Sequence, residues 1–135
     1  MSSGEASPEE IGRRFVYAFN RRDADGLIAL ADPAIEFHPT ILAGERRLYH
    51  GHDGLRRWVM ELKESGGEHQ VRVREVRILE ADRFLVLSEV LLDGKVVTPS
   101  AMLARLAPAG GIVEIYAYLS DEQMLIRLGL VPDRP

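Results

Sequence analysis

The sequence predicts an α+β fold: a cone-shaped, curved mixed β-sheet wrapped around three N-terminal helices, enclosing one small apolar cavity. Three observations predict it. Residues 8 to 64 read in the order helix, short helix, strand, loop, helix. Residues 71 to 119 then read as four strands. The first of those four changes phase midway, with Val71 and Val73 on one parity and Val76 and Ile78 on the other. Such a slip implies a β-bulge near Arg74–Glu75, which bends the strand and curves the sheet.

Each element has a local reason. Ser7-Pro8-Glu9-Glu10 opens the first helix as a capping box with proline in the first turn. Ile11, Phe15, Ala18 and Phe19 share one face, and the helix should end near Arg21 or Arg22, where basic side chains suit its dipole. Asp23 caps a short second helix carrying Leu27, Ile28 and Ala31, which Asp32-Pro33 stops. Residues 34 to 38 alternate, Ile35 and Phe37 facing one way, Glu36 and His38 the other, and Pro39 closes the strand. Residues 40 to 50 read as a loop. Asp53 is the expected cap of a third helix with Leu55, Trp58, Val59 and Leu62 on its buried face, ended by Ser65-Gly66-Gly67.

Residues 84 to 92 form the next strand, and Asp93-Gly94 is a two-residue hairpin turn. That turn sets Val90 opposite Val97, Val86 opposite Ala101 and Phe84 opposite Leu103, a wholly apolar face; Glu89, Thr98, Ser100 and Met102 fall on the other. Residues 108 to 111 turn the chain into a last strand, 112 to 119. Ser120-Asp121-Glu122-Gln123 is a second capping box, opening a terminal helix that ends at Gly129.

A chain of 135 residues suits one domain, here 7 to 130, with flexible termini at 1 to 6 and 131 to 135. A net charge of −4 argues against nucleic acid as partner, because phosphate binding needs a concentrated basic face, and Glu75 and Glu80 interrupt Arg72, Arg74 and Arg77. The absence of cysteine excludes disulfides and thiolate metal sites. No apolar run approaches the ~20 residues of a membrane span, and MSSGEASPEE lacks the features of a secretory signal. A soluble, cytoplasmic protein is the expectation. His50-Gly51-His52 with His38 lacks a clearly placed carboxylate, so no metal and no cofactor is expected.

The stretch FNRRDADGLIAL, the strand ending EFHP, YHGHDGLRRW, and a last strand IVEIYAYLS running into a helix ending LGL together resemble the nuclear transport factor 2-like superfamily, especially its SnoaL-like polyketide cyclase and ketosteroid isomerase branches. The resemblance covers about residues 8 to 130. It implies the cone fold, a ligand cavity and a tendency to dimerise, and leaves the activity open. It also permits a residue-by-residue comparison. The isomerases' oxyanion-hole tyrosine is matched by Phe15, which has no hydroxyl; their second, protonated acid falls on Ala101, Met102 or Leu103. Their general base is an Asp before Pro, and here it is His38. The epoxide hydrolases' Arg-x-Asp pair is absent from the strands, and their last-strand Asp is matched by Ala117.

The sequence therefore points to a small apolar, oxygenated ligand in a cavity lined by Phe15, Phe19, Phe37, Trp58, Val86, Ala101, Leu103 and Ala117, with His38 and Tyr49 as polar handles. If there is catalysis, it is cofactor-free isomerase- or lyase-type proton transfer by His38. The alternative is a non-catalytic dimerising or protein-interaction domain. Tyr116 and Tyr118, on the face opposite the cavity, suit a homodimer formed through the outer sheet face.

Overall fold

The computed structural model describes residues 6–39, 48–65 and 68–134. Helix α1 (Pro8–Asn20) starts at the expected capping box, with the Ser7 and Glu10 side chains bonded reciprocally to backbone N–H groups. It ends in a tight reversal. Arg22 takes φ +52°, and the Asp23 N–H reaches back to the Ala18 carbonyl at 2.9 Å. A non-glycine residue in the left-handed region costs about 1–2 kcal/mol, and here the Arg22 guanidinium is tied down, donating to the Phe19 and His69 carbonyls at 2.9 Å each. Asp23 then caps α2 (Ala24–Ile28) through the Gly26 N–H.

Strand β1 (Ala31–His38) begins three residues earlier than the sequence suggests, so Ala31 belongs to it and not to α2. Asp32-Pro33 ends no helix; it lies inside the strand, where the ladder to β6 (Ile112–Tyr118) is interrupted between Ala31 and Glu36. Proline is tolerated there because the interruption asks for no N–H. The expected loop at 40 to 50 lies outside the described residues up to 47, and its end forms a two-residue strand, β2 (Tyr49–His50), paired with β1. Helix α3 (Gly51–Glu64) follows directly. Its N-cap is His50, with no side-chain cap, so Asp53 is a first-turn residue favourable to the dipole and not the cap. Gly66 and Gly67 lie outside the described residues.

Strands β3 (Gln70–Glu80), β4 (Arg83–Leu92), β5 (Lys95–Leu106) and β6 complete a six-stranded sheet of order β2-β1-β6-β5-β4-β3, antiparallel except for β1 against β6. The β3 bulge lies between Val73 and Glu75, as the phase slip requires. A second bulge was not legible. After the Asp93–Gly94 turn, with both residues at positive φ, β5 accommodates Val97 as an extra residue, so that Leu91 faces Val96 but Val90 faces Thr98. The expected pairs are therefore each displaced by one: Val86 faces Met102 and Phe84 faces Ala104. Since a one-residue slip exchanges the two faces of a strand, Ser100, Met102 and Ala104 belong to the helix side and Leu103 to the outer side.

The main core lies between the inner sheet face and α1 to α3, centred on Phe37, Trp58, Leu27, Ile35 and Leu55. The α1 C-terminus is stapled to the start of β3: the Asn20 carboxamide both donates to and accepts from the Val71 backbone at 2.8 Å, covering that part of the sheet edge. A smaller core lies on the outer face, where α4 (Glu122–Arg127) sets Leu125 against Leu85 and Ala101. The α4 cap is Asp121, bonded to the Met124 N–H, and not Ser120. Strand β6 stops at Tyr118, leaving Leu119 exposed. Past α4, Val131 is buried and Arg134 pairs with Glu122 and Glu75, while residues 132 to 134 are exposed. Among the described residues, no helix is long and apolar enough to cross a membrane.

Candidate functional site

A cavity of about 50 Å³ opens between α1 and the inner sheet face. Helical periodicity delivers one wall. Phe15, Val16 and Phe19 come from α1, Phe37 from β1 and Trp58 from α3. Their rings interlock, Phe37 meeting Trp58 edge-on at 4.3 Å between centroids, Phe19 stacking on Trp58 at 5.4 Å, and Phe15 meeting Phe37 at 6.3 Å. The other wall is sheet: Val71, Val86, Ser88, Ser100, Ala101, Met102, Ala117 and Tyr118.

Among the described residues, no Asp, Glu, His, Lys or Arg lines the space. Its polar groups are hydroxyls and an indole. Ser88 and Ser100 are both buried and lie opposite one another, their Oγ atoms 2.9 Å apart, with Ser88 Oγ also 3.3 Å from the Ser100 carbonyl. Trp58 is 2 % exposed, and its Nε1 is buried with no hydrogen-bond partner among the described residues. An orphaned buried donor costs about 1–3 kcal/mol, and an acceptor entering the cavity within reach of it offsets that cost. Burial, then Tyr116, pushes the Tyr118 phenol above its ordinary value, so it stays protonated at neutral pH. Among the described residues of the wall, no base can activate either serine. The site can desolvate an apolar body and hydrogen-bond a polar atom on it. Among the described residues it holds no carboxylate or imidazole to accept a proton.

Of the sequence-derived lining, Phe15, Phe19, Phe37, Trp58, Val86, Ala101 and Ala117 border this cavity. Three residues do not. Leu103 is carried to the outer face by the Val97 bulge. Tyr49 is 2 % exposed in the corner between β1 and α3, where its hydroxyl bonds Glu61 and the Arg57 guanidinium lies 5.0 Å from its ring centroid. His38, the expected proton-transfer group, is on the outer face. It pairs in register with Tyr116, and their rings stack at 4.3 Å and 3°. Its Nε2 is buried without a hydrogen-bond partner among the described residues, 3.9 Å from Glu36 Oε1. The strand parity that turns Phe37 inward turns His38 outward.

Sequence reasoning missed Val16, Val71, Ser88, Ser100, Met102 and Tyr118 as lining residues. One signal for Ser88 was available, since it shares the parity of Phe84, Val86 and Val90. Ser100 needed the bulge. Pro99 marks that region: it lies past Ala101–Tyr118, the last pair β5 makes with β6, where a missing N–H breaks no ladder. The other histidines do not converge on an ion. His52 Nε2 lies 3.0 Å from the Ala31 carbonyl, and among the described residues no group of three or more His, Asp or Glu could hold a metal.

The SnoaL-like domain model matches residues 12–115. No curated protein matches the chain. Solved structures do. An NTF2-like protein of unknown function from Burkholderia pseudomallei superposes with a TM-score of 0.67 at 22% identity, covering 95% of this chain and 99% of that one. A SnoaL-like protein of unknown function from Burkholderia thailandensis has a TM-score of 0.67 at 14% identity, covering 84% and 93%. A Mycobacterium tuberculosis protein crystallised in complex with estradiol-17beta-hemisuccinate has a TM-score of 0.64 at 14% identity, covering 84% and 94%. At these identities the likeness is one of fold.

Proposed function

The chain belongs to the SnoaL-like family, and from that premise we propose that it binds a compact, neutral, apolar molecule bearing one oxygen in the α1–sheet cavity, without catalysing proton transfer there. The observation that carries this reading is the composition of the wall: a ring-lined space whose polar groups are the Ser88–Ser100 pair and the orphaned Trp58 N–H. A charged ligand is disfavoured because no counter-ion among the described residues lines the space. The ligand-bearing relative supports a pocket that accepts an apolar body. Size sets the second condition. Fifty cubic ångströms holds one or two waters, against roughly 300–1,000 Å³ for a drug-sized site, so the aromatic wall must give way to admit a ligand.

Trp58 is the sole tryptophan and reports directly. Titration with cyclohexanone is expected to change its emission saturably, and Ser88→Ala/Ser100→Ala is expected to weaken binding by about tenfold, the worth of one ordinary hydrogen bond. His38→Ala is expected to leave it unchanged. Linear, non-saturable quenching in wild type and double variant alike contradicts the reading.

A second reading is favoured by the outer face. Helix α4 covers Leu85 and Ala101, with Leu103 packed against the same cluster, while the His38–Tyr116 stack lies outside it, flanked by Glu36, Glu114 and Arg105. Carboxylates and a guanidinium on one patch are self-complementary across a two-fold axis, so we assign this patch to a homodimer. Light scattering should give twice the chain's 15.1 kDa, and Tyr116→Glu should return the single-chain mass. A wild-type mass of one chain refutes the dimer.

A further inference from the structure

We propose that His69 is a proton-operated latch on the cavity: uncharged, it helps hold Phe19 closed against Trp58, and protonation releases that contact. Phe19 is the moving part because it lines the cavity and carries a contact on either side. Trp58 stacks on it at 5.4 Å, and the His69 ring lies 5.7 Å away. The Arg22 guanidinium lies 4.6 Å from the same ring's centroid and donates to the carbonyls of both Phe19 and His69. His69 thus sits in the seam that staples α1 to β3, next to the Asn20–Val71 bonds.

The seam suits an uncharged imidazole. His69 Nε2 is buried and has no hydrogen-bond partner among the described residues. A neutral ring can carry its proton on Nδ1 and leave a bare lone pair there. An imidazolium must place an N–H where the described residues offer no acceptor, and must do so beside Arg22. Burial first, and the Arg22 charge second, hold the imidazole below its ordinary value of 6.5. Arg22 is the charged group acting on it from the α1–α2 junction; Phe19 and Trp58 carry none, and Glu68, the preceding residue, is exposed. Acid therefore favours whatever state separates the ring from Arg22 and returns it to water, about tenfold per unit of difference between the two states. In that state Phe19 has lost a neighbour, and the space beside Trp58 widens. The latch rests on the cavity and not on the identity of its ligand.

Acrylamide quenching of Trp58 between pH 8 and 5 tests it without a ligand. The wild-type quenching constant should rise severalfold, reversibly, through a transition below pH 6.5. His69→Gln should be flat with pH, while His38→Gln, on the other face of the sheet, should follow wild type. A flat wild-type profile, or the same rise in His69→Gln, overturns the latch. If His69→Gln does not fold, the wild-type His69 Cε1 proton resonance replaces it. Its titration midpoint must coincide with that of quenching, and a separate midpoint is equally fatal. Saturable cyclohexanone binding with a pH-flat quenching profile would remove the latch and leave the binding reading intact; the converse would do the opposite.

Discussion

The two walls of the cavity are built by different rules. The helical wall is aromatic and interlocked, and its residues follow from spacing alone: Phe15 and Phe19 lie four apart on α1, and Trp58 joins Leu55, Val59 and Leu62 on α3. The sheet wall depends on register. One extra residue, Val97, turns Leu103 to the outer face and brings the Ser100 hydroxyl and Met102 thioether to the cavity. Sequence pattern specifies the rigid, apolar side of such a site. The polar side, which gives the ligand its chemistry, hangs on a bulge.

The largest expected effect tests the aromatic wall. Phe37→Ala removes the ring that meets Phe15, Tyr49 and Trp58 and should cost about 3–5 kcal/mol by denaturant unfolding. A loss below about 1 kcal/mol would mean that the wall collapses easily and that the closed cavity is not held by ring packing.

The outer face supplies a contrast in kind. There the Arg77–Glu122 pair has side chains 14% and 17% exposed, and Arg134 also donates to Glu122. These donors, Arg134 foremost, hold the Glu122 carboxyl below its usual range. Its contribution to stability is therefore present above the ordinary carboxylate range and lost as the pH falls through its lowered value. Glu122→Gln leaves Arg77 nearly buried without its counter-charge, and about 2–4 kcal/mol should be lost. Unchanged stability would show that water replaces the carboxylate there.

Gly54→Ala probes the corner behind the aromatic wall. A Cβ at Gly54 would lie 2.9 Å from the Tyr49 carbonyl carbon, part of a backbone that cannot swing aside. Alanine's helix preference, about 1 kcal/mol, should be outweighed, for a net loss of about 1–3 kcal/mol. Stabilisation would mean that β2 yields freely.

The sheet wall predicts the smallest effects and the most specific. Ser88→Ala strands the Ser100 hydroxyl and should cost about 1 kcal/mol; Ser100→Ala, which leaves Ser88 Oγ the backbone carbonyl at position 100, should cost less, and the double variant should be nearly neutral. Additive losses would mean that the two hydroxyls are not coupled. His69 adds a pH signature. Because folding lowers its pKa, the unfolded chain binds the proton more readily; stability is complete above 6.5 and declines as the pH falls below it, and His69→Gln should remove that part of the decline.

How much was legible follows from the same distinction. The α+β class, the cone order of elements, the bulge in β3 and the lining residues Phe15, Phe19, Phe37 and Trp58 could be read because each follows from periodicity or parity within one element. The FNRRD stretch was recognisable as a motif, but its jobs were not. Asn20 and Arg22 act on Val71 and His69, about fifty positions away. The place of His38 required the face of β1 that the helices cover, and the Ser88–Ser100 pair required the Val97 bulge. Pairings between strands and staples across the sheet edge leave little trace in local pattern.

The central claim is that the cavity recognises an oxygen on a neutral apolar body through donors left free for it, and the Trp58 indole N–H is the most direct witness. A ¹⁵N–¹H spectrum holds a single indole resonance, because the chain has one tryptophan. Cyclohexanone should move it downfield with saturation as the orphaned N–H gains an acceptor, while methylenecyclohexane, of the same shape without the oxygen, should leave it near its free position. Equal shifts with both, or none with either, would contradict the account.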